Sequence, residues 1–183
     1  MDPVMHLLLP LLLLLALRID TRLSLLLAPI AILPDFDAAF GLHRAVFHSF
    51  IPVVVIPVGL ILYAKYRRPE WMLPALLVQF YMASHVVLDL GGVAFLWPFT
   101  TDMFYFDPQL KFNLQGGINF EWHLEMGIHE YVKMGETDFI SEAAFGLLIL
   151  MGLAAAIYRR EAFAAVKRVV GIVRDFLVRA FRG

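Results

Sequence analysis

The chain has 183 residues, 61% of them hydrophobic, with a formal net charge of -1 and no cysteine. Length predicts one domain. The apolar share exceeds the roughly half found in soluble domains and falls in long runs, which excludes an ordinary soluble protein. The lack of cysteine excludes disulfides and thiolate metal ligands.

Two apolar runs open the chain, at residues 6–17 and 23–34, separated by Arg18, Asp20 and Arg22. Each is too short to cross a hydrocarbon core of roughly 30 Å, so they predict a pair of short helices in a hairpin or re-entrant arrangement. The start, Met1-Asp2, lacks the basic region of a signal peptide and predicts no cleavage. Longer runs occupy 46–64, 71–90 and 139–158, each of about 20 residues and long enough to span. The expected fold is an all-α, multi-pass transmembrane helical bundle over residues 1–158.

Residues 159–183 alternate apolar and basic positions at helical spacing: Phe163, Val166, Val170 and Val173 against Lys167, Arg168 and Arg174. That pattern predicts an amphipathic surface helix lying on anionic lipid. A merely solvated or partner-bound helix fits the same pattern.

If each run reverses direction, 12 of the 15 Lys and Arg residues gather on one side, which the positive-inside tendency assigns to the cytoplasm. All six histidines and 12 of the 16 acids gather on the other. The polar groups therefore predict one site on the non-cytoplasmic face, assembled from several segments.

His85 and Asp89, in "SHVVLD", stand four apart and so stack on one helix face. An imidazole and a carboxylate at that spacing chelate a divalent cation, or the acid simply orients the ring. In "HRAVFHS", Arg44 and His48 share a face, and His48 lies just inside an apolar run. Arg44 suits a phosphate oxygen or neutralises Asp35 or Asp37, while His43 is a ligand or a loop residue. Pro34 in "LPDFD" stops a helix, and Asp37 either binds metal or caps a helix beginning near Ala38. His6 joins the set by topology, and Glu142, one turn into the last run, is a ligand or a costly buried acid. Seven donors (His6, Asp35, Asp37, His43, His48, His85 and Asp89) exceed one tetrahedral site. Nitrogen and oxygen donors suit zinc, manganese or iron, so two or more zinc ions are expected, the arrangement that activates water and clamps a phosphoester.

The ordered set Pro34-Asp35-x-Asp37, His43-Arg44-x-x-x-His48-Ser49, His85-x-x-x-Asp89 and Trp97-Pro98-Phe99, with His6 before it, resembles the YdjM-like inner-membrane metal-dependent hydrolases. The resemblance runs from about His6 to Phe99. It implies kinship with zinc-dependent phospholipase C and single-strand-specific nucleases, which hold a multinuclear zinc centre on His-x-x-x-Asp and further His and Asp ligands. By that likeness His85, Asp89, His48 and Asp35 or Asp37 are metal ligands.

Residues 91–138 are aromatic-rich, and Trp97, Phe99, Phe104, Tyr105 and Phe106 suit the interfacial belt. Glu121, His123, Glu125, His129 and Glu130 read as a solvated helix or as further ligands.

The expected function is hydrolysis of a lipid-headgroup phosphoester at the outer face. Metal lowers the pKa of water, Asp35 or Asp37 takes its proton, and Arg44 steadies phosphoryl charge. Lipid is both solvent and substrate. Nucleic acid is not expected, since the site face carries only Arg44, Lys111 and Lys133 as cations. Transport of a divalent cation or of protons, and a metal-braced subunit without catalysis, are the alternatives; oligomerisation stays open.

Overall fold

Asp2 starts the first helix. Its carboxylate accepts from Met5 N, and Pro3 occupies the first helical position, where a missing N–H costs nothing. The computed structural model describes residues 2–41, 44–113, 119–131, 140–157 and 159–180. It divides into two units, Met1–Pro29 with Thr137–Gly183, and Ile30–Glu136.

In the first unit, α1 (Pro3–Ala16) and α2 (Thr21–Leu27) pack on each other. Helix α1 covers most of the first expected short helix, whereas α2 takes only the start of the second run, the rest of which is 3-10. Arg18 turns the chain between them in the left-handed region (φ 56°). Asp20 then caps α2 by accepting from Arg22 N and Leu23 N. The same unit holds α5 (Glu142–Ile157) and α6 (Arg159–Ala180). Ser141 Oγ donates to Asp2 Oδ2 at 2.5 Å, tying the start of α5 to the cap of α1.

In the second unit the chain winds in a tight 3-10 segment to Phe40, and residues 44–49 form a turn. One π-helical turn (Ile51–Val55) leads into α3 (Ile56–Arg67). A short 3-10 turn at Pro69–Trp71 reverses the chain into α4 (Met72–Leu88), which packs along α3. Val53, Met82, Val86 and Val93 form one core cluster; Ala45, Ala94 and Met103 form another.

The fold is mostly helical but not all-α. Strands β1 (Met103–Asn113) and β2 (Asn119–His129) pair antiparallel, with Met103 opposite His129 and Phe106 opposite Met126. The solvated helix expected around Glu121 to Glu130 is therefore a strand. Its sequence, "FEWHLEMGIH", alternates apolar and polar residues with period two, which a strand satisfies and a helix does not.

Among the described residues one helical stretch, Pro69–Leu88, has the length (20 residues) and hydropathy (mean 1.5) to cross a membrane. The other two expected spans come out shorter. Residues 46–49 belong to the turn that presents His48, so helix begins only after it. The run at 139–158 yields the 16 residues of α5, below the ~20 a perpendicular crossing needs. The described residues accordingly do not support the expected multi-pass bundle.

Candidate metal centre

Four side chains from three segments converge in the Ile30–Glu136 unit: Asp35 from the 3-10 segment, His48 from the turn, and His85 and Asp89 from the end of α4. One donor atom from each lies within 4.8 Å of the others. His48, His85 and Asp89 are almost fully buried, and the Asp35 side chain retains 14% exposure.

Both rings are fixed from behind. His85 Nδ1 lies 2.6 Å from the Ala31 carbonyl. A carbonyl only accepts, so that nitrogen carries the proton. His48 Nδ1 donates to Asp37 Oδ2 at 2.9 Å, and the same oxygen accepts from Ala45 N at 3.1 Å. In the neutral rings both Nε2 atoms are then lone-pair donors, and they face each other across 3.0 Å. Asp89 Oδ2 lies 3.5 Å from His48 Nε2 and 3.9 Å from His85 Nε2, while Asp35 Oδ1 lies 3.5 Å from His85 Nε2.

Lone pairs turned on one another, with carboxylate oxygens around them, repel unless a positive charge stands among them. Two imidazoles and two carboxylates are a donor set that divalent transition metals accept. The oxygen Asp35 Oδ2 is buried and has no hydrogen-bond partner among the described residues. The residues thus fit a divalent cation held by Asp35, His48, His85 and Asp89. Carbonyl and carboxylate partners behind the rings set their tautomers, as is usual around metal sites.

The other expected residues are not among these four. Asp37, fully buried, stands behind His48 rather than beside the four donors. Arg44 Nη2 pairs with Asp89 Oδ1 at 2.9 Å, so the guanidinium also meets Asp89, a partner the sequence reading did not name. Arg44 adopts φ 63°, a conformation costing a side-chain-bearing residue about 1–2 kcal/mol. The ion pair and the bond from Ala94 N to Arg44 O (2.9 Å) hold it there. His43 lies outside the described residues. His6 and Glu142 belong to the other unit. There His6 is fully buried, with Nδ1 donating to Asp2 O at 2.9 Å, and Glu142 opens α5, exposed. The Ala31 carbonyl escaped sequence reading altogether, because backbone oxygens leave no mark in a sequence.

The family profile described as YdjM inner membrane protein matches residues 1–163. The chain belongs to that family. Membrane association follows from membership of the YdjM family, and the buried His and Asp cluster supplies a place for a metal ion. No curated protein and no solved structure matches the chain. In this YdjM-family chain all four donors fall within the expected motif order, from Asp35 in the first motif to Asp89 in the third.

Proposed function

We propose that the protein is a membrane-bound, metal-dependent hydrolase that cleaves a phosphoester of a lipid headgroup. The carrying observation is the opposed pair of Nε2 atoms, 3.0 Å apart and ringed by Asp35 and Asp89. A divalent cation bound there would supply Lewis acidity toward a phosphoryl oxygen and acidify water at neutral pH.

The chain's own groups would divide the remaining work. Asp35 is the most exposed of the four donors, and its Oδ2 is suited to take a proton from attacking water. Asp37 holds the His48 ring in one tautomer and orientation. Arg44 acts through Asp89 as a positioning residue, keeping Oδ1 turned away so that Oδ2 faces the two rings. An apolar cleft of about 380 Å³, lined by Val53, Val86, Leu90 and Phe95 among others, shares the end of α4 with His85 and Asp89. Such a wall favours a substrate carrying hydrocarbon, and supports a lipid over a soluble phosphodiester.

The basic side of the chain, including α6, is proposed to face the cytoplasm with α6 on anionic lipid, and the metal centre to face the other way. The test of function is hydrolysis of phospholipids and of chromogenic phosphodiesters by purified protein, beside His48→Ala and Asp89→Ala. Metal-dependent turnover lost in both variants is the expected result. Equal activity in all three proteins would overturn the reading.

A further inference from the structure

We infer that the β1–β2 hairpin is an interfacial membrane element whose apolar face rests in the outer part of a lipid bilayer. Strand side chains alternate between faces. On β2 this puts Trp122, Leu124, Met126 and Ile128 on one side, and His123, Glu125 and His129 on the other. The four apolar residues are 65%, 45%, 68% and 63% exposed, and Phe106, across from Met126, is 38% exposed.

A lone pair of strands is marginally stable in water and needs a surface to pack on. The polar face already satisfies itself in part: Tyr105 Oη donates to Asp107 Oδ2 at 3.1 Å, and the Tyr105 and His129 rings meet edge to face at 6.0 Å. The apolar face is the one that needs cover. A contiguous exposed patch of large apolar residues marks a site of contact with protein or membrane.

Continuity identifies the occupant as lipid. Leu90 and Phe104 line a cleft of about 370 Å³ together with Phe106, Met126 and Ile128. The same two residues also line the cleft of about 380 Å³ that reaches Val86 and Val87 on α4. The hairpin face therefore prolongs the apolar surface of the one described helix with the length and hydropathy of a membrane span, in a chain of an inner-membrane family. Val87, 62% exposed, lies on that surface. Trp122 brings the amphipathic indole that settles at headgroup depth. The hairpin is also fastened to the end of α4. Phe106 N donates to Leu90 O at 2.9 Å, and Val93 and Phe104 exchange two backbone bonds. The main chain next to Asp89 is thereby anchored to an element seated on lipid.

The chain has no cysteine, so single replacements label one place each. Spin labels would be attached to Trp122→Cys, Leu124→Cys, Met126→Cys and Ile128→Cys, and to His123→Cys, Glu125→Cys and His129→Cys. Each full-length protein would be reconstituted in vesicles of phosphatidylethanolamine and phosphatidylglycerol. The expected result is a period-two pattern. The first four labels collide several-fold more with dissolved oxygen than with an aqueous nickel chelate, and the last three show the reverse. Equal exposure of both sets to the chelate would overturn the inference. So would dipolar coupling between labels on the apolar face, which would identify a second copy as the occupant. The measurement reads neither metal nor turnover, so its outcome is separate from that of the hydrolase reading.

Discussion

The imidazoles of His48 and His85 meet Nε2 to Nε2 at 3.0 Å, each held from behind through its Nδ1. Two neutral rings repel in that geometry, and a divalent cation held by Asp35, His48, His85 and Asp89 would relieve the repulsion. Purified protein is expected to carry a divalent metal by elemental analysis, and His48→Ala and His85→Ala to lose it while still inserting in membranes. Because the ligands must shed protons to bind, occupancy should fall on acidification. Full occupancy in both variants would remove the site.

Chelation should lower the unfolding temperature. A ligand present at a hundred times its dissociation constant stabilises a fold by about 2.7 kcal/mol. Thermal unfolding in detergent, with and without chelator, checks this, and the difference should vanish in His85→Ala.

Asp37 supports His48 without joining the four donors. Asp37→Asn keeps the volume but loses the charge behind the ring. It should weaken metal affinity by about 10–100-fold, the range typical for outer partners of metal-bound histidines. Titration with zinc or manganese reads the change; an unchanged affinity would separate Asp37 from the centre.

Arg44 and Asp89 form a buried ion pair, with side chains 9% and 1% exposed. Removing one partner of such a pair typically costs about 3–5 kcal/mol, because the other charge stays buried. Arg44→Ala should therefore destabilise the protein strongly, and Arg44→Lys less so, as measured by thermal unfolding. Loss of stability in Asp89→Ala should not add to that of Arg44→Ala in the double variant, since both remove the same contact.

Asp2 caps α1 and binds Ser141. Burial alone would raise its carboxyl, but the bonds from Ser141 and Met5 outweigh it and hold the pKa below the ordinary aspartate value. A depressed pKa contributes stability above the unfolded value, about 3.9. That contribution is lost as pH falls through the folded value. Asp2→Ala should cost about 0.5–2 kcal/mol at neutral pH, and the gap from wild type should shrink in strong acid.

Topology is checked by a reporter fused at Gly183. A cytoplasmic signal is expected, and an external one would invert the proposed orientation.

The sequence by itself determined what local spacing determines. A spacing of four from His85 to Asp89 puts both on one side of the end of α4 whatever surrounds the helix, and apolar runs mark a membrane protein. The period-two pattern of residues 120–129 was equally local and equally legible, though polar side chains there suggested a solvated helix. Only the tertiary structure decided that His48, 37 residues before His85, turns its Nε2 onto that of His85, and that Arg44 pairs with Asp89. It alone placed the Ala31 carbonyl behind His85, across 54 residues. Such pairings depend on how separate segments pack, and helical or strand periodicity carries no information about that.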